Sequence, residues 1–164
     1  MNDPGELISK ATAILGGEQA LAAGIFGLKD NYAAVAAGMA SGAVLSDAIL
    51  DSSLAAGVGG AAALHATRSA VATSKGLTVR MLVVVTAEQI RVLDWVTGSG
   101  PTRVLLSFNR SSTDVAVTKF GLSRHVMLRD SATGRSLALS GSTAPYVSES
   151  KGDKAVLRLL SEPR

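Results

Sequence analysis

The feature that most constrains this chain is a succession of six short apolar segments between residues 78 and 141, each stopped by turn residues before it reaches helical length. TVRMLVVVT (78–86) is β-branched and apolar, the pattern of a buried strand. IRVLDWV (90–96) follows after a tight connection at 87–89, and TGSGP (97–101) separates it from RVLLSFN (103–109). DVAVTKF (114–120) alternates, with Val115 and Val117 on one face. RHVMLRD (124–130) alternates too, placing Val126 and Leu128 inward and His125, Met127 and Arg129 outward. SATG (131–134) is a hairpin turn, and RSLALSG (135–141) returns with Leu137 and Leu139 inward. Connections this short make successive strands antiparallel neighbours.

The flanks complete the pattern. Asp3 is a good N-cap, Pro4 suits a first helical position, and Glu6 completes a capping box. Leu7, Ile8, Ala11, Ile14 and Leu15 then form one apolar stripe, and Gly16-Gly17 ends the predicted helix. Residues 20–28 read as a further strand, because glycine weakens a helix there. Residues 152–161 read as a closing helix whose buried face is Ala155, Val156, Leu159 and Leu160, stopped by Glu162-Pro163. Seven strands need an open end covered, and an amphipathic helix does that.

Between the first two strands lies a segment of different texture. From 33 to 66, 22 of 34 residues are Ala, Gly or Ser, while Val35, Met39, Leu45, Ile49, Leu50, Leu54 and Val58 keep helical spacing. Such a stretch suits neither a strand nor a flexible linker, because Ala and Gly disfavour strands and the spaced large residues need burial. Residues 29–76 are therefore expected to form an inserted helical hairpin or one longer helical arm. Ala34, Gly38 and Gly42 lie on one i, i+4 line, and Ala56 and Gly60 make a second small-x-x-x-small pair. Those spacings allow close backbone approach and favour self-association. The uncharged runs at 31–46 and 52–64 are too short and too weakly hydrophobic for membrane spans.

MLVVVTAEQIRVLDW (81–95), GEQALAAGIF (17–26) and PTRVLLSF (101–108) resemble strands of the small bacterial pleckstrin-homology-like (PH-like) proteins of actinobacterial type. The resemblance covers residues 17–28 and 77–161. It implies an α+β chain: a seven-stranded antiparallel β-sandwich or partly open barrel with a C-terminal capping helix. To this the chain adds an N-terminal helix at 1–16 and the Ala/Gly-rich insertion, so the β-domain is 17–28 plus 77–164. The paired Lys/Arg motif that some PH domains use for inositol phosphates is not recognisable here.

Chemistry is sparse. The two histidines, His65 and His125, lie in different regions, without cysteine or metal-ligand spacing. There is no G-x-S-x-G elbow, and GVGGAAAL lacks the Gly-Lys-Ser/Thr of a phosphate loop. Asp47 and Asp51 share a helical face but read as cap or turn residues. No catalytic, metal or cofactor residue is therefore assigned. Residues 1–76 carry four basic and six acidic side chains and residues 77–164 twelve and seven, so net charge runs from −2 to +5. Arg110, Lys119, Arg124, Arg129 and Arg135 are the candidate contacts for an anionic headgroup or acidic protein patch. Hairpin geometry puts Lys119 and Arg124 at one turn and Arg129 and Arg135 at the next, so a single anion pocket is not expected. Nucleic acid is disfavoured by the lack of aromatic stacking platforms. With no basic n-region at the start, a cytoplasmic location is expected, with peripheral contact at the inner membrane face. The expected role is a non-enzymatic adaptor or scaffold binding a protein partner or itself. The alternative is an accessory subunit whose arms bundle into a membrane-apposed stalk or apolar conduit.

Overall fold

The computed structural model describes residues 2–28, 76–147 and 149–162. The inserted segment, with Ala34, Gly38, Gly42, Ala56 and Gly60, lies outside the described residues. The described chain is α+β, with seven strands in one antiparallel sheet and a helix at each end. The elements are α1 (Pro4–Ile14), β1 (Ala22–Leu28), β2 (Arg80–Val85), β3 (Gln89–Asp94), β4 (Val104–Asn109), β5 (Thr113–Phe120), β6 (Ser123–Asp130), β7 (Ser136–Ser142) and, at the C-terminus, α2 (Glu149–Ser161). The strand order is β4-β3-β2-β1-β7-β6-β5.

β1 is the junction. Ala22 to Gly27 pair with β2, whereas only Gly27 and Leu28 pair with β7, opposite Ser140 and Leu139. The two halves of the sheet thus share one short stretch of β1 and fold over a common interior. Phe26, Met81, Val83, Ile90 and Phe108 from one half meet Val126, Leu128, Leu137 and Leu139 from the other, with Val156, Leu157 and Leu160 of α2 between them. The predicted helix face is extended by Leu157, which is buried, whereas Ala155 and Leu159 are only partly so.

A second core lies on the opposite face of β1–β3. Leu7 and Ala11 of α1 pack there with Ala23, Ile25, Leu82, Val84, Leu93 and Trp95. This explains why MLVVV does not alternate: Met81, Val83 and Val85 face the interior while Leu82 and Val84 face α1, so both faces must be apolar. The helix itself starts as its sequence dictates, with the Asp3 carboxylate accepting from Gly5 N at 3.3 Å and Pro4 in the first turn. Of the predicted stripe, Leu7 and Ala11 are buried and Ile8 and Leu15 partly covered, but Ile14, the last residue of the helix, is exposed.

α2 crosses β1 backbone against backbone. A Cβ on Gly24 would stand 2.8 Å from Asp153 N, and one on Gly152 would stand 2.5 Å from Ala23 O. No side chain fits at either position. The Asp153 carboxylate, buried at this crossing, accepts from Ser142 N at 2.8 Å and ties the helix to the end of β7.

Candidate functional site

The polar clusters among the described residues serve the fold. Asp94 closes the β3–β4 loop: its carboxylate accepts from Thr102 N at 2.6 Å, from Arg103 N at 3.0 Å and from the Thr102 hydroxyl. Burial pushes this carboxyl up, but those bonds prevail and hold it below its ordinary pKa. Asp130 does the same for the β6–β7 turn. It accepts from the Thr133 hydroxyl at 2.8 Å, Ala132 N at 3.0 Å and the Ser112 hydroxyl at 2.9 Å, and its pKa is lowered, chiefly by Thr133. Glu18 pairs with Arg91 at 3.0 Å, and its carboxyl is lowered by a hydrogen bond from Thr86, against some burial, and by Arg91. Arg91 also donates to the Ser107 hydroxyl at 2.8 Å.

Open clefts among the described residues include a pair beside the sheet. One of about 520 Å³ lies between β5 and the end of α2, with Ser111, Thr113, Asp114, Ser161 and Glu162 as its polar lining; among the described residues no histidine, lysine or arginine lines it. The other, of about 480 Å³, holds Glu88, Asn109, Arg110 and Ser111 beside the β2–β3 turn. Neither sets a nucleophile against a base that a third group orients. No group of three or more metal-ligating side chains occurs among the described residues. Among them, too, no helix is long and apolar enough to cross a membrane.

The five basic candidates are spread as hairpin geometry requires. Lys119 and Arg124 are directly paired across β5–β6, next to its turn. Arg129 lies at the far end, opposite Asp114 on one side and Ser136 on the other, and Arg135 follows in the β6–β7 turn. Arg110 is half-buried and staples β4 to the β2–β3 turn, donating from Nη1 to Thr86 O at 2.9 Å and Ala87 O at 3.2 Å. The structure brings Lys119 and Arg124 together at one end of the hairpin and places Arg129 and Arg135 by the β6–β7 turn at the other.

Between Lys119 and Arg124 stands a feature that charge and motif reasoning passed over. The β5–β6 hairpin is closed by Phe120 opposite Ser123, leaving a two-residue loop, Gly121-Leu122. Gly121 has φ +57° and Leu122 a negative φ, which fits a loop that needs glycine first. Phe120 is 65% exposed and Leu122 63%. The Phe120 ring stacks on His125 at 5.7 Å. Leu122 O accepts from Thr143 N at 2.8 Å and from the Thr143 hydroxyl at 2.9 Å, which braces the loop against the segment leaving β7. Further along that segment Tyr146 and Val147 are exposed. Arg124 Nη1 donates to Gly121 O and Ser123 O, both at 2.9 Å. The result is a braced turn with two exposed apolar side chains and the Lys119–Arg124 pair one step below it. The signal in the sequence was KFGLSR (119–124): large apolar residues on both sides of a turn glycine, where polar residues are usual.

Comparison of the chain with protein-family models, with curated proteins and with solved structures finds no match.

Proposed function

We propose that this chain is a non-enzymatic binding module of PH-like type, an adaptor or scaffold that holds a protein partner or a second copy of itself at a membrane surface. The PH-like reading is supported by the strand order, by the two half-sheets closing over one core, and by the C-terminal helix lying across β1. The binding reading is carried by one observation. The braced hairpin tip exposes two large apolar side chains, Phe120 and Leu122, on either side of Gly121, while the buried polar groups Asp94 and Asp130 are bound to neighbouring loops. Isolated exposed apolar residues are ordinary on a protein surface; two large ones at a single two-residue turn, where polar residues are usual, favour a contact.

Two measurements test it together. Light scattering across a range of concentrations reads self-association, and in-cell cross-linking with mass spectrometry reads a stoichiometric partner. Either a dimer or higher oligomer, or one reproducible partner, is expected. A chain that stays monomeric at all concentrations and cross-links to nothing overturns the proposal.

A further inference from the structure

The geometry points to the β5–β6 hairpin tip as a docking surface for an anionic lipid bilayer, entered by Phe120 and Leu122 and held by Lys119 and Arg124. This rests on the binding-module reading and names what the tip touches. Charge complementarity selects the bilayer. At its turn, from Lys119 to Arg124, the hairpin carries Lys119 and Arg124 and no acid. Its acids, Asp114 and Asp130, sit at the opposite end, six and seven cross-strand pairs below the turn-closing pair and about 20 Å or more from it. Approaching tip first, the hairpin meets an anionic surface with Phe120 and Leu122 at the turn, Lys119 and Arg124 one pair behind it, and the carboxylates of its own two strands more than a Debye length away, while the nearer Asp153 carboxylate is buried and bonded to Ser142 N. Shallow burial of a few apolar side chains is weak alone and becomes effective when cations add to it. The brace from Thr143 and Arg124 holds the loop in shape before contact, so little ordering is needed on docking.

The test is co-sedimentation of the full chain with phosphatidylcholine–phosphatidylglycerol vesicles and with pure phosphatidylcholine vesicles. The chain is expected to pellet with the mixed vesicles, to stay in solution with the neutral ones, and to be released by high salt. Phe120→Ser/Leu122→Ser is expected to weaken partitioning by about fivefold, and Lys119→Glu by about tenfold. Lys119 is exposed, so its replacement leaves the fold intact, and an unchanged thermal melt verifies this for each variant. Arg124 is left in place because it braces the turn. Equal pelleting with both vesicles, or with wild type and variants, overturns the inference. If the wild type ignores both vesicles yet self-associates or holds a partner, and the tip variants abolish that, the tip is a protein contact. The bilayer inference then fails while the adaptor reading stands. If it ignores vesicles, copies and partners alike, both fail.

Discussion

The β1–β3 part of the sheet is covered on both faces, whereas the β5–β7 part is covered mainly on one. In the first, α1 lies on Leu82, Val84 and Leu93 while the shared interior takes Met81, Val83 and Ile90, so β2 is buried from Met81 to Val85. In the second, Val126, Leu128, Leu137 and Leu139 face the interior, while Asp114, Ala116, Thr118, Met127 and Arg129 are exposed on the outside. One half is a layered core and carries stability; the other presents a surface and, at its turn, a contact. The same backbone ladder serves both, and the difference is how many faces something covers.

The sharpest way to break this arrangement is at the crossing that joins the halves. Gly152→Ala places a Cβ 2.5 Å from Ala23 O, and the obstacle is backbone that cannot rotate away. A loss of about 3 kcal/mol is expected, read as a lower urea midpoint with unchanged slope. Next comes a matched pair of truncations on outer faces of the two halves. Leu82→Ala, beneath α1, is expected to cost about 3 kcal/mol, and Met127→Ala, on the uncovered face of β6, less than about 0.5 kcal/mol. Equal costs would dissolve the distinction between the halves.

A smaller effect concerns the loop carboxylates. Asp94→Ala leaves the Thr102 and Arg103 N–H groups without their acceptor and is expected to cost about 2 kcal/mol at neutral pH. Because the folded-state pKa of Asp94 lies below its ordinary value, its contribution is present above the unfolded pKa and vanishes as pH falls through the folded one. Asp130 has the same sign. Denaturation midpoints should therefore hold at neutral pH and drop below about pH 4, and the drop should shrink in Asp94→Ala. The smallest effect is at the N-cap: Asp3→Ala is expected to cost about 1 kcal/mol or less, seen as a lower melting temperature, since the bond it removes is long and exposed.

Legibility followed the same division. Strands with strict alternation were readable in both boundary and facing: the inward Val126, Leu128, Leu137 and Leu139, and the outward Met127 and Arg129, sit where period two puts them. The positions of Lys119 and Arg124 at one turn and of Arg129 and Arg135 toward the other followed from the hairpin alone. MLVVV was readable as buried but not as buried between two layers, because an unbroken apolar run does not say what covers each face. The apolar tip was not legible because Phe120 and Leu122 carry no charge or chemical motif, and their alternation with polar neighbours does not say that both stay exposed.

Local sequence determined the elements: Asp3 and Pro4 start α1, turn residues stop each strand, and Gly121 permits the two-residue loop. Those choices are made within a few residues by φ preferences and nearby hydrogen bonds. Only the tertiary structure decided that Gly24 and Gly152 meet, that α1 covers Leu82 and Val84, and that Thr143 braces Leu122. These are contacts between residues far apart in the chain, and their distances are set by how the half-sheets fold over one core rather than by any spacing along the sequence.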